Sequence, residues 1–237
     1  MEEKIDEYGR RISSDRRLKS TRRFINDMMK DSLQNYPQAS PYFELDTGAL
    51  MKLKDELKAV DKNVTVTSLY VRIMATILEA YPLLNSAVID GRQVTYSSCN
   101  VGVGVGLESG IMTAVIKEAQ TKNIFEISDE LKAKTALIKT GELPLDDMLG
   151  STFTISSIGV QGIRYSTVVL NPPETGMLAI GVTEKKPVVL EDDTIGIKTI
   201  TGFGLTHNHA LIDGYHIGVI IDMMRERLLD PKQYMGI

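Results

Sequence analysis

The chain has 237 residues, a formal net charge of −4, 43% hydrophobic and 24% charged residues. That balance suits a globular protein with a substantial core, and the acidic sign argues against nucleic acid as a partner, since phosphates need a basic face. The single cysteine, Cys99, excludes an intrachain disulfide, no apolar run approaches the ~20 residues that span a bilayer, and the acidic N-terminus is no secretory signal, so the sequence reads as cytoplasmic.

Residues 1–19 form a polar arm rich in arginine, read as a solvated segment or as a basic lip for an anionic ligand. From Ser20, Phe24, Met28 and Leu33 mark the apolar stripe of a helix ending before Pro37. Tyr42 to Asp46 alternates as a strand does, and Thr47 to Ala59 reads as an amphipathic helix. Thr67 is the expected cap of a buried helix over Ser68 to Tyr81, stopped by Pro82. Ala87–Ile89 and Gln93–Tyr96 flank Asp90-Gly91, a hairpin signal.

Asn100 to Gly106 alternates glycine with valine. This GxGxG lacks the following helix of a dinucleotide loop, so it reads as a strand that lies close to another backbone or a ligand. A turn over Leu107 to Gly110 leads into a strand, Ile111 to Ile116. A helix is expected over Ser128 to Thr140, capped by Ser128 and Asp129 and closed by Gly141. Strands follow over Thr152–Ile158, Val168–Leu170, Met177–Val182 and Thr199–Thr206, with a hairpin between Lys186-Pro187 and Glu191–Asp193. Asp213 or Gly214 starts a final helix through Leu229. No linker divides the chain, so one mixed α/β domain over residues 1–237 is expected.

All three histidines, His207, His209 and His216, fall between Leu205 and Gly218. Three readings compete. A metal-dependent hydrolase would use His207 and His209 with Asp213, or His216, as third ligand, although no HExxH or cysteine pair accompanies them. Alternatively these are polar residues at a strand end. In the third reading one histidine is a general base. Asp213, four residues after His209 across a turn, would order the loop, and Ser156 or Ser157 would donate to a developing oxyanion. On residues alone this supports acyl transfer or ester hydrolysis.

The segment His209-Ala210-Leu211-Ile212-Asp213-Gly214 resembles the HxxxDG motif of the coenzyme A-dependent acyltransferases, which include chloramphenicol acetyltransferase and the dihydrolipoamide acyltransferase component of 2-oxoacid dehydrogenase complexes. The similarity extends along the chain in register. It includes Arg22-Arg23 through Met29, Ser32-Leu33-Gln34, Asp46–Leu50, Asn100-Val101-Gly102, Gly150–Gly159, Asn171-Pro172-Pro173-Glu174, Lys185–Val188 and the terminal helix to Asp230-Pro231.

The resemblance implies an α/β two-layer sandwich with a mixed sheet flanked by helices, of the chloramphenicol acetyltransferase type. It implies His209 as base, Ser156 as oxyanion donor, and Asp213 as a structural residue paired with Arg22. Coenzyme A would be a co-substrate, with no metal and with any lipoyl group supplied from outside the chain. A homotrimer with the site between subunits is implied, with a larger cage open; a non-catalytic trimeric scaffold is the alternative without chemistry. The chain departs from the complex enzymes at Asn208-His209-Ala210, where they carry Asp-His-Arg, and its Ala210 and Tyr215-His216 are closer to chloramphenicol acetyltransferase. No lipoyl or subunit-binding domain is expected in residues 1–237, which leaves the acceptor open among free lipoamide, a lipoyl domain on another chain, and a small alcohol, thiol or amine.

Overall fold

Alternate residues of five central strands are apolar and buried, and this sets one face of a sheet against a layer of helices. In this computed structural model residues 4–59, 64–107 and 110–237 are described. The first three residues of the polar arm, and Glu108 and Ser109 of the expected turn, lie outside them. In chain order the elements are α1 (Ser20–Asn35), β1 (Gln38–Ala39), β2 (Tyr42–Asp46), α2 (Gly48–Ala59), α3 (Val66–Ala80), β3 (Ser86–Ile89), β4 (Arg92–Thr95), β5 (Val101–Leu107), β6 (Gly110–Ile116), α4 (Ile124–Thr140), β7 (Phe153–Ser157), β8 (Gly176–Val189), β9 (Ile195–Asn208) and α5 (Gly214–Leu229).

The main sheet runs β1-β9-β8-β7-β5-β6, with β2 also paired to β9, while β3 and β4 form a separate hairpin. β5–β7 and β7–β8 are parallel and the other pairs antiparallel, giving the mixed sheet expected. Val103, Ile155, Leu178, Phe203 and Leu205 point into the helix layer, where α3 supplies Leu69, Tyr70, Ile73 and Ile77. Phe203 stacks on Phe43 with ring centres 5.4 Å apart and meets the edge of Tyr70 at 5.7 Å. Truncating such a buried ring costs about 3–5 kcal/mol.

The opposite sheet face is lined by small residues. A Cβ on Gly181 would lie 1.9 Å from the carbonyl oxygen of Arg164, and one on Gly204 would lie 2.5 Å from that of Ser166. The glycines therefore admit a segment, residues 164–170, that crosses β8 and β9. This corrects the strand expected at Val168–Leu170. There the backbone bonds to side chains rather than to a ladder: the Val168 amide donates to Thr206 Oγ1 and the Leu170 amide to Gln38 Oε1, each at 3.2 Å.

Other boundaries shift for identifiable reasons. α3 is capped by Thr65, not Thr67, because Thr65 and Ser68 form a reciprocal capping box. α4 starts four residues before Ser128, because Asn123 and Glu126 form a second box that exposes the first turn to the correct cap. β8 and β9 run 14 residues each, through Pro187, to a tight turn at 190–194. The Asp90-Gly91 hairpin turn has both φ values positive, 50° and 71°, as expected.

Candidate functional site

β9 carries the histidine segment to the rim of the helix layer. Leu205, His207 and His209 alternate to the core side, and the side chain leaves burial only at the last of them. His207 is 3% exposed. Its Nδ1 lies 3.4 Å from the Leu205 carbonyl, and its Nε2 is buried without a partner among the described residues. Burial holds the imidazole below the ordinary histidine range, so His207 is neutral. The His209 ring, 5.5 Å from the His207 ring centre, is exposed.

The turn after β9 is fixed at both ends. The His209 amide donates to the Pro37 carbonyl at 2.7 Å. Asn208 Oδ1 accepts from the Ala210 amide at 3.0 Å, and the Asn208 carbonyl accepts from Leu211 and Ile212 at 3.1 Å each. Asp213 is the N-cap of α5: its Oδ1 accepts from the Tyr215 amide at 3.0 Å and the His216 amide at 3.3 Å. The amide of His216 is the first cause holding the Asp213 carboxyl below its usual range, and nearby His216 and His209 add to it.

Asp213 thus caps α5, and within the single chain Arg22 does not reach it. The Arg22–Asp213 pair is not among the ion pairs of the described residues. The guanidinium carbon of Arg22 lies 3.5 Å from where a Cβ on Gly110 would sit, at the β6 edge. Asp213 follows β9, four strands away in the same sheet, a span of about 19 Å. In its place His216 approaches, with Nε2 3.9 Å from Asp213 Oδ1 and Nδ1 2.5 Å from the Tyr81 hydroxyl. Nothing in the local sequence signals the Tyr81 contact, because 135 residues separate the partners.

Ser156, half-buried near the end of β7, faces the small-residue side of the sheet: a Cβ on Gly104 would meet its Oγ at 3.9 Å. The alternating glycines of β5 clear the space beside it. Ser157, of opposite parity, lines a groove of about 490 Å³ between β5 and α4, together with Val103–Gly106, Leu131, Lys132, Thr135 and Lys139. An apolar floor with two lysines on one rim suits an extended ligand with an anionic end.

Within one chain Ser156 and His209 do not meet. Ser156 pairs with Ala179, and Ala179 with Gly204, five residues before His209. At about 3.3 Å per residue and about 4.8 Å per strand, they are separated by about 16 Å along the strands and about 10 Å across them. His207, His209 and Asp213 do not form a metal cage either. No cluster of three metal-ligating side chains occurs among the described residues, Asp213 is committed to helix amides, and the His207 nitrogens are buried.

A family profile described as 2-oxoacid dehydrogenases acyltransferase (catalytic domain) matches residues 11–236. The chain belongs to this acyltransferase family. It is 33% identical over 219 residues to the dihydrolipoyllysine-residue acetyltransferase component of the pyruvate dehydrogenase complex of Zymomonas mobilis, covering 91% of this chain and 50% of that protein. The chain spans about half the length of the curated relatives it matches. The truncated catalytic core of the 2-oxoacid dehydrogenase multienzyme complex from Thermoplasma acidophilum shares the fold with a TM-score of 0.84 at 29% identity, over 92% of this chain and 99% of that one. Chloramphenicol acetyltransferase matches at a TM-score of 0.56 and 14% identity, over 85% and 94%, a likeness of fold.

Proposed function

We propose that this chain moves an acyl group between coenzyme A and a thiol or hydroxyl acceptor, with dihydrolipoamide the first acceptor to test, and that His209 is the base. The observation that carries the reading is an exposed imidazole at the end of a buried strand, on a turn tied down by Asn208 and Asp213. His209 would take the proton from the acceptor thiol or hydroxyl as its sulfur or oxygen attacks the thioester carbonyl. The Ser156 hydroxyl would donate to the resulting oxyanion. Collapse of that adduct breaks the carbon–sulfur bond, and the departing coenzyme A sulfur regains the proton from His209.

The separation of Ser156 from His209 in one chain supports a site shared by neighbouring copies, with three copies closing a ring as the resemblance implies. The groove beside Ser157 is our choice for the coenzyme, its phosphates toward Lys132 and Lys139. The reading is tested by release of free thiol from acyl-coenzyme A in the presence of dihydrolipoamide or small acceptors. His209→Ala abolishes that release while the oligomer persists; turnover at the parent level in the mutant removes the mechanism. The relatives' naming as acetyl- and succinyltransferases supports short acyl groups as the first donors to try.

A further inference from the structure

We propose that Tyr81 and His216 are positioning residues for His209, a hydrogen bond from the end of α3 to the first turn of α5 holding the turn that carries the base. The inference rests on the reading of His209 as that base.

Tyr81 is the C-cap of α3, its amide bonded to the Ile77 carbonyl at 2.7 Å, so the phenol projects from a fixed backbone. Its hydroxyl meets His216 Nδ1 at 2.5 Å, with the rings tilted by 53°. Burial, with Tyr215 and Asp213 nearby, raises the Tyr81 pKa above the ordinary tyrosine value. The phenol therefore keeps its hydrogen, and its short contact with Nδ1 turns the other ring nitrogen, Nε2, toward Asp213 Oδ1 at 3.9 Å. That same oxygen receives the Tyr215 and His216 amides.

The turn from His209 to Asp213 thus has two anchors. Asn208 holds its start on β9, and the Asp213 cap, tied through His216 to Tyr81, holds its end. The Arg22 pairing implied by resemblance would supply the second anchor from α1; here α3 supplies it instead. A cap alone leaves the first turn of a helix able to rock. A base must hold its nitrogen within a few tenths of an ångström of the attacking geometry, and a 1 Å error costs on the order of 10²-fold in rate.

The test compares Tyr81→Phe, His216→Phe, the double variant and His216→Asn, with His209→Ala alongside, reading kcat, KM for the acyl-coenzyme A and Tm. Each Phe variant should lower kcat about ten-fold at unchanged KM, with Tm almost unmoved. The double variant should be no slower than either single one, because the pair acts as a unit. His216→Asn, which keeps a polar atom near the Nδ1 position, should recover most of the rate. Should either Phe variant not fold, His216→Asn is set against His216→Gln, and equal kcat in those two overturns the proposal. Parent-level kcat in both Phe variants, or additive losses in the double, overturns it while an inactive His209→Ala leaves the base assignment standing. Turnover surviving in His209→Ala removes the base and this inference together.

Discussion

Ser156, on β7, and His209, just past the end of β9, stand two strands apart in the register of one sheet. The strand register that joins them, Ser156 to Ala179 to Gly204, leaves four more residues of β9 before the imidazole.

That relationship makes a direct test of the shared site. Ser156→Ala and His209→Ala proteins, each inactive or nearly so, are unfolded together and refolded in equal amounts. In mixed trimers a junction is intact when a chain with its serine meets a chain with its histidine, which random assembly gives in about a quarter of junctions. Thiol-release assays should then return about a quarter of parent activity. A site built within one chain would return none.

Ser156→Ala alone should lower kcat by about 10²-fold, the effect of losing one oxyanion donor. The side chain is half-buried and faces glycine, so its removal strains no neighbour and Tm should hold. A protein that unfolds early but turns over normally would make Ser156 a packing residue instead.

Lys132 and Lys139 stand on one rim of the groove beside Ser157. Reversing both charges should raise KM for the acyl-coenzyme A about ten-fold and leave kcat intact, an effect that shrinks as salt screens the field. Steady-state kinetics at low and high ionic strength separate this from a folding defect. Unchanged KM would place the coenzyme elsewhere.

Glu174 gives a prediction about pH. It is buried, accepts hydrogen bonds from Ser151 and, at 2.9 Å, from Thr154, and has its other oxygen buried without a partner among the described residues. Burial is the largest effect and pushes its pKa up from 4.5 to about 7. The folded state thus binds this proton more tightly than the unfolded one. The stability it adds is full below pH 4.5 and is lost as pH rises towards 7, on the order of 3 kcal/mol. Glu174→Gln, neutral throughout, should show no such loss, so its advantage over the parent grows between pH 5 and pH 8 in denaturant titrations. Parallel curves for the two proteins would contradict the assignment.

Much of this molecule is visible in local sequence. Asp90-Gly91 specifies its turn because only a few residue types tolerate positive φ, and the alternating pattern of β5 reads directly as a strand. Local sequence puts the cap of α3 two residues late, because Thr65 and Thr67 are chemically equivalent until Ser68 completes the reciprocal bond with the first of them. Val168–Leu170 has the composition of a strand, yet glycines far along the chain decide that it crosses the sheet without joining it. Around the candidate site, the contacts that hold the turn are not legible in the sequence. Arg22 is drawn to the β6 edge and His216 to Tyr81, contacts between residues that only the folded chain makes neighbours.

β9 pairs along its length with β8 on one side and with β1 and β2 on the other. A single residue added or deleted within it would turn Leu205 out of the core and His209 to the wrong face, so length changes can be absorbed only at the far tip near 190–194. Lineages of this fold can therefore lengthen, shorten or decorate that tip freely while the imidazole's placement stays locked against drift.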